Sequence, residues 1–537
     1  MKLTALTRRS QRRAERAFAG AAGRAQRAAH RPALRVAMLT EGTYPYVDGG
    51  VSTWCHILCQ QLREVEFSIY AVTGDTIANE IYTPTPNRAR VIQMPQWCTE
   101  DVTEYIQPAV TGPGYFGRKA ATRRPANLRP FLDAFGRLLD LILRPDTVQP
   151  GDVETVLTLH LWFQRFDYTT AFRRPETWAC FRERVLAQIR ADAALAARPE
   201  PSVLDLAMGL RWLHNILAPI AAPVPDVEIM HATLASVVAL MGVIAKREHG
   251  IPFVLTEHGV YMRERYISVS PGPMSWFLKR LLIGLSSLAS RLCFFEADVV
   301  APVCAFNARW EGRLGVEPER LRVIYNGVDP EVFHPGPKPA EIANRPTVVA
   351  AARVTAIKDI LTMIDGAAVA KRAVPNLLVR VYGSLNADPA YTERCRARIA
   401  ELGLEETFTL GGFHSRPAEI YNEGDISVLS SISEGFPYTV LESMACERPV
   451  VATDVGGVRE ALEGFGVVVP PKDPEALGRG MVELLTDPVR RLALGRRSRE
   501  QVMARFRTDL AAQQYLDLYN EVVCEQNSTA GLELAAA

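Results

Sequence analysis

Two glutamates bracket a turn in Ser433-Glu-Gly-Phe-Pro-Tyr-Thr-Val-Leu-Glu442. Gly435 permits a tight turn after a strand that ends near Ser430. Pro437 suits a first helical position, where its missing N–H costs nothing. The spacing predicts a helix over 437–446 whose N-terminus lies beside the loop. Free backbone N–H groups there, around Phe436 and Tyr438, can receive a sugar hydroxyl or a phosphate oxygen. Glu434 falls in the loop and Glu442 inside the helix, so both can face one ligand from its two ends. A capping Glu and a solvated helix Glu is the competing reading. The Gly-Phe-Pro at a strand end favours the ligand site.

Three further groups fall at predicted strand ends. Ala352-Arg-Val-Thr-Ala-Ile-Lys358 carries Arg353 and Lys358. A planar fork and a point charge together suit a diphosphate. Asp48-Gly49-Gly50 opens a helix, and two glycines let the backbone approach an anion at its N-terminus. It does not match G-x-G-x-x-G, which disfavours a nicotinamide cofactor. Thr256-Glu-His-Gly259 places His258 at the end of a buried strand, with Glu257 beside it. Glu264 and Arg265 follow; a solvated face explains them equally well.

The elements that must position these groups alternate strand and helix, which predicts parallel sheets. Leu34–Thr40, Phe67–Val72, Val227–Ala232, Ile251–Thr256, Cys293–Val303 and Leu321–Tyr325 read as strands of a first domain over 34–330. Val51–Leu62 and Leu234–Glu248 read as its helices. Residues 97–225 break the pattern: 127–143, 152–166, 176–197 and 202–217 have helical apolar spacing. They predict a mainly helical insertion, which holds four of the seven tryptophans. Five prolines between 330 and 346 mark a linker over 331–346. A second α/β series spans 347–508, with strands at Thr347–Ala352, Leu377–Tyr382, Thr407–Leu410, Ile426–Ser430, Val450–Thr453 and Val467–Val469. A helix is expected over 509–524 and a frayed tail over 525–537. The fold class is α/β: two doubly wound domains facing a cleft, with ligands beyond the strand C-terminal ends.

With 537 residues, the chain is too long for a single core. Its 48% apolar and 23% charged content is ordinary for a globular protein. The net charge of +1 hides a basic arm: residues 1–33 hold nine Lys/Arg against one Glu. The rest is mildly acidic, which argues against nucleic acid as a partner. Nine scattered cysteines without a CxxC pair predict reduced, buried thiols in a reducing compartment, and no zinc site. No apolar stretch reaches the length of a membrane span, and 1–33 lacks the apolar core of a signal peptide. The expected location is cytoplasmic, with a peripheral position at the inner membrane as the alternative.

Together these motifs resemble the retaining glycosyltransferases of family 4, which have the GT-B fold. Glu434 and Glu442 match the family's E-x7-E motif, and Arg353 and Lys358 its diphosphate-binding pair. Tyr325-Asn-Gly-Val-Asp329 resembles its inter-domain strand end, with Tyr325 where Pro is common. Thr40–Ser52, Leu255–Arg265 and Ser430–Glu442 resemble, more narrowly, the Pel exopolysaccharide branch, as does the helical insertion. After Cys446 many relatives have Gly where this chain has Glu447-Arg448.

The resemblance implies a nucleotide-sugar donor, a UDP-sugar, in the C-terminal domain. Glu442 would bind the ribose and Glu434 the sugar. Gly435, Phe436, Pro437 and Tyr438 would line the donor. Arg353 and Lys358 would stabilise the departing diphosphate, with Gly49 and Gly50 closing over it and His258 meeting the sugar. No metal or other cofactor is expected, since no Asp-x-Asp pair accompanies the phosphate site. The acceptor would be a growing polysaccharide or other glycan, and inner-membrane polysaccharide synthase components are candidate partners. The competing functions are a sugar-nucleotide epimerase on the same fold, and a non-catalytic or partner-dependent subunit of a polysaccharide synthase complex.

Overall fold

Strand Leu34–Glu41 (β1) is apolar on both faces, as a strand covered by helices on each side must be. In the computed structural model, which describes residues 34–77, 79–98, 101–103 and 112–536, it forms the centre of a six-stranded parallel sheet. The other strands are Val65–Thr73 (β2), Arg88–Pro95 (β3), Ile229–Ala232 (β4), Phe253–Glu257 (β5) and Val299–Pro302 (β6), in the order β3-β2-β1-β4-β5-β6. The second sheet is Thr347–Ala351 (β7), Leu378–Tyr382 (β8), Phe408–Gly412 (β9), Ile426–Leu429 (β10), Val450–Thr453 (β11) and Val467–Val469 (β12). Its order is β12-β11-β10-β7-β8-β9, again all parallel. Each sheet reverses direction once, between β1 and β4 and between β7 and β10. Those two points are where a doubly wound sheet opens a crevice.

Alternate residues of β1 serve different cores. Ala37 and Leu39 join a large cluster with the insertion helices Pro125–Leu143, Val153–Phe163, Pro175–Ala191 and Val203–Ile216. Val36 and Met38 join a second cluster with Trp54, Tyr515 and Tyr519. The insertion therefore shares the core of the N-terminal sheet. Its last helix starts with a capping box, Ser202 Oγ accepting from Asp205 N–H and the Asp205 carboxylate from Ser202 N–H.

Four readings change. Cys293–Glu296 is helical, the end of the helix Trp276–Glu296, and the strand begins only at Val299. Leu321–Tyr325 makes a single bridge, Leu321 to Val300, and no strand. Pro437 is the N-cap of the helix Tyr438–Ala445, one position before the expected first turn. The C-terminal helix spans Thr508–Ala536, through the stretch expected as a frayed tail. This helix returns to the first domain: Tyr519 Oη lies 2.6 Å from His231 Nδ1 and Tyr515 Oη 3.0 Å from Thr256 Oγ1. Sequence reasoning did not find β3, nor the helices Tyr261–Val269 and Trp276–Glu296. The basic arm 1–33 lies outside the described residues. No helix among those described is long and apolar enough to cross a membrane.

The insertion is clamped to Trp276–Glu296 at one glycine. A Cβ on Gly284 would stand 2.0 Å from the Ile142 carbonyl oxygen. Gly284→Ala is expected to destabilise the protein by about 1–3 kcal/mol through overpacking. Gly151→Ala, whose Cβ would meet nothing within 4 Å, serves as the control. Urea unfolding followed by circular dichroism checks this; equal midpoints for the two variants would show that the two helices are not in such contact.

Candidate active site

Strands β7 and β10 are neighbours across the reversal point, so the loops that follow them meet. Ile432 N–H donates to the Ile357 carbonyl at 2.8 Å, and Ser430 Oγ to the Lys358 carbonyl at 2.8 Å. These bonds bring Lys358 Nζ to 2.6 Å from Glu434 Oε1. Ser431 Oγ donates to the same oxygen at 2.5 Å. Glu434 thus holds an ammonium and a hydroxyl at the mouth of the crevice. Arg353 is exposed on the same loop as Lys358, its guanidinium open to a ligand.

The helix Tyr438–Ala445 begins directly after this loop, and no side chain caps it. Its first N–H groups are therefore open to a ligand's oxygen atoms, and the helix dipole favours anions there. Inside it, Glu442 Oε2 accepts from Tyr421 Oη at 2.5 Å. Burial pushes the Glu442 carboxyl up to about 7; the Tyr421 bond opposes this, and the Asp48 carboxylate adds to it. Asp48 belongs to the other domain, so the loop before the helix Gly50–Gln61 faces Glu442. Gly50 itself abuts the Tyr438 ring, which a Cβ would meet at 3.5 Å.

The two domains meet backbone to backbone at Gly435. A Cβ there would lie 1.7 Å from the His258 carbonyl oxygen, so no other residue fits this approach. The His258 ring packs edge-on against Trp54, with centroids 4.7 Å apart. Burial pushes its pKa down to about 3, so it is neutral at physiological pH. Its Nε2 is buried without a hydrogen-bond partner among the described residues, an atom suited to a ligand's hydroxyl. Phe436 is buried between Tyr325 and Phe506, at 5.0 and 5.3 Å between ring centroids, and its carbonyl accepts from Asn326 Nδ2 at 2.9 Å. Pro437 is buried as the N-cap.

All four motif groups thus converge on one cleft: Arg353 and Lys358, Glu434 to Glu442, Gly49 and Gly50, and His258. The sequence reading missed Tyr421, Ser431 and Asn326 as site residues. Ser431 had a local signal in the Ser430-Ser-Ile-Ser433 run before Glu434; Tyr421 had none. Among the described residues, no group of three or more His, Cys, Asp or Glu is placed to hold a metal ion.

Residues 34–319 match the family described as a domain of unknown function, DUF3492, and residues 337–501 match glycosyl transferases group 1. The chain belongs to the DUF3492 family, carries a glycosyl transferases group 1 domain, and is a glycosyltransferase of the GT-B fold. Alpha-maltose-1-phosphate synthase of Mycolicibacterium smegmatis is 28% identical over 363 residues, 62% of this chain and 88% of that protein. D-inositol 3-phosphate glycosyltransferase of Acidothermus cellulolyticus is 29% identical over 319 residues, 55% of this chain and 68% of the relative. Sucrose-phosphate synthase from Thermosynechococcus elongatus shares the fold with a TM-score of 0.58 at 18% identity, covering 92% of this chain and 100% of that structure. Anabaena HepE in complex with UDP and glucose follows at 0.55 and 16%, covering 90% and 99%. The transferase's fold and enzyme class are thereby established.

Beneath the cleft the transferase buries a pair of carboxyls. Glu257 accepts from Ala235 N–H at 2.5 Å and Tyr261 N–H at 3.3 Å, pinning the loops after β4 and β5. Glu311 is fully buried on the helix Ala305–Arg313, and neither oxygen has a partner among the described residues. Asn307, one turn earlier, donates through Nδ2 to the Glu257 carbonyl at 3.3 Å, so this helix face is turned toward Glu257. Burial raises both carboxyls above the ordinary range, Glu311 further through the nearby Glu257 charge. The folded state therefore retains protons that the unfolded chain has released, and stability falls as pH rises through the window between the ordinary and the raised values. Glu311→Gln removes one of these protonation sites. The parent's urea midpoint is expected to decline from pH 5 to pH 8, and that of Glu311→Gln to decline less. Equal slopes would count against the buried pair.

Proposed function

We propose that this glycosyltransferase moves a sugar from a UDP-sugar to a growing polysaccharide, with retention at the anomeric carbon, in Pel-like exopolysaccharide biosynthesis. The observation that carries the donor site is the Lys358–Glu434 pair at 2.6 Å, set between exposed Arg353 and an uncapped helix N-terminus. Such a site offers cations and N–H groups for a diphosphate and a carboxylate for sugar hydroxyls. The structural relative HepE is described in complex with UDP-glucose, which supports the uridine reading at the level of analogy. The sequence resemblance of Thr40–Ser52, Leu255–Arg265 and Ser430–Glu442 supports the Pel-like polysaccharide reading, with inner-membrane synthase components as partners.

In this reading Glu442 accepts from the ribose hydroxyls, and its raised pKa favours donor binding above neutrality. Glu434 and His258 Nε2 contact the sugar. The bond between the anomeric carbon and the diphosphate oxygen breaks, the acceptor hydroxyl oxygen bonds to that carbon and gives its proton to the leaving diphosphate, and Arg353 and Lys358 balance the charge that grows on the leaving group. One preorganised donor of this kind is worth roughly 10²–10³ in rate. Gly49 and Gly50 cover the phosphates from the N-terminal domain, and the contact of Gly435 with His258 keeps water from the reacting carbon. The cations stand where other transferases use a divalent ion, so the reaction proceeds without one.

Calorimetric titration with UDP, GDP and ADP tests the donor site. Selective UDP binding is expected, weakened about tenfold or more in Lys358→Ala and Glu442→Ala, as for loss of a charge-assisted contact. Failure of the folded parent to bind any of the three would overturn the donor reading. With the donor identified, turnover in EDTA is expected to stay within about tenfold of the untreated value; a larger loss that Mg²⁺ or Mn²⁺ restores would refute the metal-free step.

A further inference from the structure

The short helix Val458–Leu462 in the C-terminal domain is tied at both ends. Just before it, Gly457 N–H donates to the Gly435 carbonyl at 2.7 Å. Further along, Glu460 reaches the other domain. Its carboxylate accepts from Ala305 N–H at 2.8 Å and Phe306 N–H at 2.6 Å, the first N–H groups of the helix Ala305–Arg313. Cys304, the N-cap residue of that helix, provides no side-chain cap. A carboxylate from across the interface supplies it instead, at the positive end of the helix dipole.

From there the contacts return to their starting point. The capped helix carries Asn307, which holds the Glu257 carbonyl at 3.3 Å. The next residue is His258, whose carbonyl abuts Gly435. A closed ring of contacts thus runs from the donor loop through Gly457, Glu460, the helix Ala305–Arg313, Asn307 and His258 back to the donor loop. Tyr325 adds an arm: its hydroxyl donates to Glu460 at 3.3 Å. At this position the resembled family commonly has Pro, which has no such group.

We infer that Glu460 is a positioning residue for sugar transfer, a latch that holds the two domains closed and fixes the donor loop against His258. The inference rests on the donor-loop reading above. Glu460 itself is only half-buried, beside a cluster in which Val458, Ala461 and Leu462 meet Val303 and Cys304 of the first domain, so its loss loosens the cleft while each domain stays folded. Without it, UDP must drive closure itself, and its apparent affinity falls by the fraction of closed molecules.

Small-angle scattering and UDP calorimetry on the full chain test this with Glu460→Ala, Glu460→Gln and Tyr325→Phe. Glu460→Ala is expected to have a larger radius of gyration than the parent without ligand, to contract toward it on adding UDP, and to bind UDP about tenfold more weakly. Glu460→Gln, which keeps one oxygen acceptor, recovers part of both effects. Tyr325→Phe shows a smaller shift in the same direction. Parent-like scattering in all three variants would overturn the latch, whatever their melting temperatures. If Glu460→Ala fails to fold, the other two decide. If the parent binds no UDP, the donor reading fails, while ligand-free scattering still judges the latch.

Discussion

The approach of Gly435 to the His258 carbonyl is the contact on which the rest of the cleft depends. Each domain could fold around its own sheet, since each has its own buried cluster. What makes them one site is that a loop of the second domain presses backbone to backbone against a strand end of the first. Only glycine permits this, because a Cβ would sit 1.7 Å from the oxygen. The surrounding features keep that contact in register. Gly457 holds the Gly435 carbonyl from behind, Asn326 holds the Phe436 carbonyl, and Phe436 fills the space between Tyr325 and Phe506. The C-terminal helix then ties the second domain back to the first through Tyr515 and Tyr519.

Burial around this contact sets the electrostatics. His258 is neutral because the imidazolium would lose its hydration with no anion to compensate. The carboxyls of Glu257 and Glu311 are driven toward their protonated forms for the same reason. With both of them protonated, the floor of the cleft carries no charge. The charges that remain sit higher up, at Lys358, Glu434 and Arg353, where a phosphate and a sugar can reach them.

The parallel sheets were legible because their central strands are continuous apolar runs bounded by turns. The outer parts were harder. Strand β3 carries Arg88 and Arg90 on a sheet edge, where charge blunts the alternation that a strand would otherwise show. Cys293–Glu296 read as strand because the helix Trp276–Glu296 is packed between the insertion and the sheet, and its apolar residues surround most of its circumference. Leu321–Tyr325 has strand composition and donates from Arg322 and Ile324 N–H to the Val300 and Pro302 carbonyls, but it closes only the one bridge at Leu321 and so no ladder. The site motifs were visible because loop, glycine and charge lie within ten or so residues of one another. Glu460 and Tyr421 carry no such local sign: Glu460 caps a helix that begins 155 residues earlier in the chain. One departure has a clear cost. Glu447 takes a left-handed backbone, φ 57°, at the turn where the resemblance leads one to expect Gly. Its neighbour Arg448 then donates to the Tyr421 carbonyl at 3.3 Å and the Gly336 carbonyl at 2.9 Å. The strained turn is thus fixed to the linker and to the residue that holds Glu442.

The pairing of Lys358 with Glu434 also limits what the cleft can do before a ligand arrives. An unpaired ammonium in a half-buried crevice would be poorly solvated, and so would an unpaired carboxylate. Held at 2.6 Å, with Ser431 on the same oxygen, each compensates the other, and neither has to reorganise far. A ligand that brings a phosphate and a hydroxyl together can replace this arrangement without stranding a charge: the phosphate approaches Lys358 while the hydroxyl donates to Glu434. A free phosphate would satisfy the lysine and repel the glutamate, and a neutral sugar would reach only the glutamate. The pair therefore favours the two groups joined in one molecule, a condition that a sugar diphosphate meets along with other hydroxyl-bearing phosphate esters.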